Sequence, residues 1–172
     1  MLEIENWDKQ QVHDVMQELL YSFNYMWFLM ESWIAKHCPE KLYTEEFNKL
    51  GETFGSYEAK RLEKTVDPEV KGLDRLEAFL KHSHWCAFEN IEITKLSDTK
   101  LRMRTLNCTA QKAARKWGME FYDCSEAGLC LRRGFFSQIN PEAEVRRTHT
   151  PPDDRPANLP EEVSCEWIIS IK

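Results

Sequence analysis

The chain has 172 residues, of which 42% are hydrophobic and 30% are charged, a composition typical of a folded globular protein rather than a disordered one. Its net charge is −6, and no run of lysines and arginines is long enough to follow a phosphate backbone, so we expect no nucleic-acid partner. The length predicts a single domain, 1–172, with a helical half (1–84) and a hairpin-helix-helix-hairpin half (85–172).

Two features of the N-terminal region bear on location. Residues 1–6 are acidic and lack the apolar segment of a secretory signal. The most apolar window, residues 19–35, contains Asn24 and Glu31 and is too short to span a bilayer, so we expect no membrane partner. Without export, the six cysteines are expected to be reduced thiols, and we predict a cytoplasmic protein.

The first predicted element is a long amphipathic helix. Apolar residues recur every three or four positions from residue 7 to about residue 36. Tyr21, Tyr25 and Phe28 add a second apolar face, so this segment should be covered on more than one side and could form a homodimer. We expect the helix to end before Pro39, because proline disfavours helical geometry in the residue that precedes it.

The rest of the chain alternates helical and extended patterns. Thr44 is suited to cap a second helix that runs to about Thr65, and a third helix is predicted over residues 69–82. A strand-like run over 85–96 and the alternating residues 101–106 predict a hairpin. Further predicted elements are helices over 109–117 and 125–139, strands over 143–149 and 165–171, and a proline-rich loop over 150–160 between these two strands. This order predicts an α+β fold with an antiparallel four-stranded sheet covered by helices and a long N-terminal helix.

Four of the six cysteines fall in the last 65 residues, beside polar or turn-forming neighbours. Cys108 and Cys124 each precede a predicted helix, where backbone N–H groups and the helix dipole should lower the thiol pKa. Cys165 opens the last predicted strand, whereas Cys130 lies within a helix and is interpreted as a packing residue. The alternative is that these residues are buried spacers in the core, as cysteines often are.

A metal site would have to be assembled by the fold, because no Cys-x-x-Cys pair is present. His149 ends a predicted strand and would lie near Cys165 if the last two strands pair, which makes it a candidate fourth ligand or base. His82, His84 and Cys86 form a second dense group. This group is more typical of a polar helix end than of a metal site.

Motifs for several common chemistries are absent from the sequence. It contains no Gly-x-Ser-x-Gly, no phosphate-binding loop, no dinucleotide fingerprint and no His-Glu-x-x-His. The pairs Arg132-Arg133 and Arg146-Arg147 could hold an anionic ligand, but paired arginines are common on surfaces, and we interpret both pairs as surface residues.

An ordered set of short motifs spans nearly the whole chain. The set is Tyr25-Met26-Trp27-Phe28, residues 55–61, residues 107–115, Tyr122-Asp123-Cys124, Asn140-Pro141, Thr150-Pro151-Pro152-Asp153 and Cys165-Glu166-Trp167. It resembles a family of uncharacterised bacterial and archaeal cytosolic proteins that is described only as a domain of unknown function. That family is similar to L-2-amino-thiazoline-4-carboxylic acid hydrolase-like proteins and, more distantly, to small-molecule-binding domains of the vinyl reductase type.

The resemblance implies a helix-covered antiparallel sheet with a cysteine at the start of its last strand, where Cys165 stands. Members of the family often carry a cysteine near the Pro-Pro-Asp loop. This chain has Thr148-His149-Thr150 there, and His149 could take the place of the sulfur.

The first functional hypothesis is a small-molecule- or metal-binding domain. In this reading Cys108, Cys124 and Cys165, with His149, surround a zinc ion or line a ligand pocket between sheet and helices.

The alternative is a cysteine-dependent hydrolase of a small cyclic amidine or thiazoline, the substrate class that the resemblance implies. Cys108 or Cys124 would be the nucleophile, and His149, Asp123 or Glu126 would handle the proton. A third possibility is an interaction module that forms a homodimer through its aromatic first helix.

Overall fold

The computed structural model describes residues 7–116 and 118–172, without the side chains of residues 28, 32, 35 and 40–43. The helices are α1 (Lys9–His37), α2 (Glu40–Leu62), α3 (Gly72–His82), α4 (His84–Phe88), α5 (Thr109–Lys116) and α6 (Ser125–Ile139). The strands are β1 (Asn90–Ser97), β2 (Lys100–Leu106), β3 (Glu144–His149) and β4 (Val163–Ser170). The predicted α+β fold with a four-stranded antiparallel sheet and a long first helix is confirmed. Predictions that involve residues 1–6, the Phe28 side chain or residue 117 lie outside the described residues.

Two compact units divide the chain, one ending at Tyr43 and the other comprising Thr44–Lys172. In the first, Asp8 caps α1, because its carboxylate accepts the Gln11 N–H at 2.8 Å and its own N–H donates to the Gln11 side chain at 3.0 Å. The helices in the described parts of the chain include none that is long and apolar enough to cross a membrane. The single domain stays a prediction.

The four strands form one sheet in the order β1-β2-β4-β3, with antiparallel neighbours throughout. Leu101 and Met103 of β2 are fully buried and lie opposite Ile169 and Trp167 of β4, which are also fully buried. Because side chains alternate along a strand, these residues mark the inner face of the sheet. Cys165, two residues before Trp167, belongs to the same face.

Helices α3 and α6 supply most of the helical side of the core. The apolar residues of α3 fall at the three- and four-residue spacing of one helix face, and Phe135 and Phe136 of α6 are fully buried. The Trp85 ring of α4 meets the Phe135 ring edge-on at 5.3 Å. Full burial of each such side chain contributes about 1.5–3 kcal/mol, so this core holds α6 firmly against the sheet.

Glycines allow α2 and α6 to cross with their backbones in contact. A Cβ atom at Gly55 would overlap the Leu131 carbonyl oxygen, and one at Gly134 would overlap the Glu52 carbonyl oxygen. Only glycine permits so close an approach. The crossing therefore fixes the position of α6, which carries part of the candidate site.

Several predicted boundaries are wrong. Helix α2 begins four residues before Thr44, so Thr44 lies inside the helix and does not cap it. The helix can start directly after Pro39, because the first N–H groups of a helix have no partner within it and the N–H that proline lacks is not needed. Helix α3 begins after the predicted residue 69, because the Asp67 carboxylate accepts the Glu69 N–H at 2.9 Å and holds a turn there.

Two corrections concern the sheet. Residues 84–88 form the short helix α4 instead of the start of a strand, since a short apolar run is compatible with either structure. Strand β4 begins at Val163, so Cys165 is its third residue and does not open it.

Candidate functional site

Cys165 lies on the buried face of β4, opposite Thr105 of β2. Its side chain is 5% exposed, and its sulfur accepts a hydrogen bond from the Trp167 indole N–H at 3.2 Å. The strand pairing on both sides of β4 holds this sulfur rigidly between the sheet and the helices.

Cys108 lies in the connection from β2 to α5. Its backbone N–H donates to the Ser164 hydroxyl at 3.0 Å, which ties it to the start of β4. Its thiol donates to the Glu89 carboxylate at 3.8 Å, and the same carboxylate accepts the Thr109 N–H at 3.0 Å. Burial raises the pKa of Glu89, although the bonds from Thr109 oppose the shift.

Cys124 precedes the first residue of α6 directly. The next residue, Ser125, donates both its N–H and its hydroxyl to the Asp123 carboxylate, at 2.9 and 2.6 Å. Asp123 therefore stabilises the first turn of α6, and its charge contributes to the raised pKa of the neighbouring Cys124 thiol.

The three cysteines that we predicted to form a site influence one another electrostatically. A charge on Cys165 raises the pKa of both Cys108 and Cys124, and a charge on Cys124 raises that of Cys108. Such mutual effects require the sulfurs to share one poorly screened environment. Residues separated by up to 57 positions in sequence thus influence one another, because β2 pairs with β4 and Arg132 of α6 lies against Trp167 of β4.

The predicted lowering of the thiol pKa values is wrong. Burial raises the pKa of Cys108 to about 12 and that of Cys124 to about 12. The N–H of Gln111 does bond the Cys108 sulfur and lowers its pKa, as expected at a helix start, but the loss of solvation is larger. At neutral pH these two thiols are therefore held in the neutral S–H form.

Arg132 was not predicted as a buried residue. It projects from α6 into the core and is 5% exposed, with its guanidinium carbon 4.8 Å from the centre of the Trp85 ring and 4.2 Å from that of Trp167. One terminal nitrogen donates to the Gly128 carbonyl at 3.0 Å, but the buried Nε has no hydrogen-bond partner. Among the described residues, Arg132 forms no ion pair.

The charge of Arg132 couples it to the thiols. Burial lowers the pKa of Arg132, and Cys165, Cys124 and Cys108, in that order, act in the opposite direction, followed by Glu89. The three thiols, Arg132 and Glu89 therefore form one electrostatic group, which we call the thiol–arginine cluster.

A comparison with protein-family models matches residues 22–171 to a family of unknown function, DUF6125. The chain belongs to the DUF6125 family. No curated protein matches the chain. The predicted resemblance to an uncharacterised family is thereby confirmed, whereas the similarity to hydrolase-like and vinyl reductase-type proteins stays a prediction.

His149 of this DUF6125 chain lies apart from the thiols. It pairs with Glu166, whose side chain points to the sheet face opposite Cys165 and bonds Arg104 at 2.7 Å. Burial lowers the pKa of His149, and the nearby charge of Arg155 lowers it further, although Asp153 and Glu166 oppose them. Its buried Nδ1 has no hydrogen-bond partner.

The metal prediction finds no support in the described parts of the DUF6125 chain. Within 7–116 and 118–172, no three or more His, Cys, Asp or Glu residues are grouped so that they could hold a metal ion. The thiols share an environment without meeting around one point. Cys130 of α6 is half-buried, and Glu126 pairs with Arg147 at 3.9 Å on the surface.

The second dense group of His and Cys residues is dispersed. His82 Nδ1 contacts the Thr65 hydroxyl at 2.9 Å, and His84 Nδ1 contacts the Glu58 carboxylate at 2.6 Å. Burial raises the pKa of Cys86 to about 11. Each side chain has a different partner, in line with the interpretation as a helix end.

Proposed function

We propose that this DUF6125 protein is a small-molecule-binding domain whose ligand sits at the thiol–arginine cluster. The observation that carries the proposal is the buried guanidinium of Arg132, which lacks both an ion pair among the described residues and a partner for Nε. A buried charge without a counter-ion is costly, and proteins retain such groups mainly where a ligand or a reaction uses them. The electrostatic coupling of three thiols to that charge also supports a ligand-binding site at Arg132.

Binding is favoured over catalysis by the state of the thiols. A cysteine nucleophile must be a thiolate, and burial holds the pKa values of Cys108 and Cys124 near 12. The proposed proton handlers have other partners, since Asp123 accepts two hydrogen bonds from Ser125 and His149 faces Arg155 and Glu166. The cysteine-dependent hydrolase of a cyclic amidine or thiazoline is therefore the second candidate, and it would need its substrate to promote ionisation.

Binding of a zinc ion by the three cysteines is a further candidate function, which we place level with the hydrolase. Three sulfurs in one environment are the observation in its favour, and binding would have to release their protons. It predicts about one zinc per chain in protein purified without chelator. Metal-free protein whose stability is unchanged by chelator would contradict it.

We also propose a cytoplasmic location and a homodimer formed through α1. The first is supported by six free cysteines. The second is supported by large apolar side chains exposed on α1, such as Phe23 at 62% and Trp33 at 61%.

Protection of thiols from alkylation tests the binding proposal. Iodoacetamide labelling is followed residue by residue by peptide mass mapping, with and without a mixture of small polar metabolites. A ligand at the cluster should slow labelling of Cys108 and Cys124 at least several-fold and leave Cys38, a residue of the first unit, unchanged. Equal slowing of Cys38, or no slowing by any fraction of the mixture, would count against the site.

A further inference from the structure

We infer that Arg132 is the anion-recognising residue of this site and that the ligand carries a single carboxylate. The inference rests on the proposed binding function and deepens it by naming the ligand class. The geometry points to Arg132 because it is the cationic member of the thiol–arginine cluster and has a hydrogen-bond donor left over.

The surroundings of Arg132 partly stabilise its positive charge, but they leave one of its hydrogen-bond donors without an acceptor. The rings of Trp85 and Trp167 stabilise the cation through their π electrons but offer no acceptor in the plane of the guanidinium. The Gly128 carbonyl takes one terminal N–H, and Nε–H remains without an acceptor. A guanidinium presents its donors as a planar fork, which a carboxylate matches with two parallel hydrogen bonds.

Gly128 makes room for this arrangement. A Cβ atom there would lie 3.3 Å from the terminal nitrogen of Arg132 and 3.5 Å from the Trp167 ring. The absence of a side chain at Gly128 therefore leaves space for the guanidinium of Arg132 to stay in contact with the Trp167 ring.

The charge balance favours a monoanion over a phosphate. The groups that are coupled electrostatically to Arg132 are the three thiols and Glu89, none of which is a cation. A dianionic phosphate would bring two negative charges towards one cation and towards the Glu89 carboxyl group, and phosphate sites usually combine several cations or N–H groups. A carboxylate brings one charge, and the neutral S–H group of Cys124 can donate weakly to it.

Propionate and propionamide form a matched pair of probes, equal in shape and different in charge. The Nε–H resonance of Arg132 is followed by ¹H–¹⁵N spectroscopy on the full chain and assigned by its loss in Arg132→Lys. We expect propionate to shift this resonance saturably and to slow alkylation of Cys108 and Cys124, and propionamide to do neither at the same concentration. Arg133→Lys, a change in the exposed neighbour, should keep the full response.

Three results would overturn the inference. One is an equal shift with propionamide, the second is an equal shift with chloride or phosphate, which would indicate an unselective anion contact, and the third is an unchanged propionate response in Arg132→Lys. If Arg132→Lys does not fold, the difference between propionate and propionamide in slowing the alkylation of Cys108 and Cys124 in the wild-type chain decides alone. Protection of the thiols by neutral molecules without a shift at Arg132 would refute the carboxylate and leave the binding function standing, whereas no protection by any molecule would refute both.

Discussion

The guanidinium of Arg132 lies 4.2 Å from the centre of the Trp167 ring, on the face of β4 that also carries Cys165. A buried cation thus rests on β4, one of the two inner strands of the sheet. This contact joins a residue of the hydrophobic core, Trp167, to a residue of the thiol–arginine cluster. Substitutions of Arg132 therefore test its effect on stability as well as its role in binding.

Arg132→Met should leave the free energy of unfolding within about 1 kcal/mol of wild type or increase it, because a hydrophobic side chain of similar volume avoids burying a charge. Chemical denaturation measures the change. Arg133→Met, in the exposed neighbour, is the matched control and should stay within about 0.5 kcal/mol. A loss of more than about 3 kcal/mol in Arg132→Met would mean that the cation is already well paired in the folded chain.

Gly55→Ala should destabilise the protein by several kcal/mol or prevent folding, because the added methyl group would overlap the Leu131 carbonyl of α6. Gly51→Ala, one helical turn earlier on α2, is the control. Its Cβ would lie 3.4 Å from the Ala127 carbonyl, an ordinary contact, and the better helix propensity of alanine could stabilise by up to about 1 kcal/mol. Similar unfolding free energies for the two variants would contradict the close crossing of α2 and α6.

Stability should fall as the pH rises above about 9. Cys108 and Cys124 have raised pKa values of about 12 in the folded chain, so the unfolded chain loses these protons first and binds fewer of them between pH 9 and 12. From pH 7.5 to 9.5 the two thiols together should cost about 1.5 kcal/mol. Urea denaturation at both pH values measures it.

The control for that pH effect is the Cys108→Ala, Cys124→Ala double variant. Other groups titrate in the same range, so the quantity of interest is the difference in pH dependence between wild type and the double variant. If the two curves run parallel, the thiols are not held neutral by burial.

Phe23→Glu combined with Trp33→Glu should produce a monomer if α1 forms the proposed homodimer, because both side chains are exposed and apolar. Sedimentation velocity at micromolar concentration compares this variant with wild type and with Gln10→Glu, a polar change on the same helix. A monomeric wild-type chain would remove the dimer proposal.

The pattern of the sequence predicted much of the fold, because hydrophobic periodicity identifies long elements well. The α1 stripe, the hairpin of β1 and β2 and the helix after Cys124 are examples. Residues 84–88 were misassigned because five mostly apolar residues fit a helix and a strand equally well. Burial at the site depends on contacts between elements that are distant in sequence, which the local pattern does not reveal. The helix dipole alone predicts lowered thiol pKa values, whereas burial raises them.

The sequence identified Arg132 only as part of an arginine pair that could hold an anionic ligand, and its burial was not predicted. Its neighbour Arg133 made the pair look like a solvated surface. A signal was present, since Arg132 lies four residues after Gly128 and three before Phe135, which places it on the buried face of α6. A charged residue at a core position of an amphipathic helix is a pointer to a functional site.

The central claim, that a small molecule binds at the thiol–arginine cluster, is tested most directly by the alkylation rates of Cys108 and Cys124 relative to Cys38. Cys108 and Cys124 should react at least tenfold more slowly than Cys38 at pH 7.5 because their pKa values are raised, and a bound ligand should slow them further without affecting Cys38. Rapid labelling of Cys108 or Cys124 in the ligand-free chain would contradict this account and favour the cysteine-dependent hydrolase.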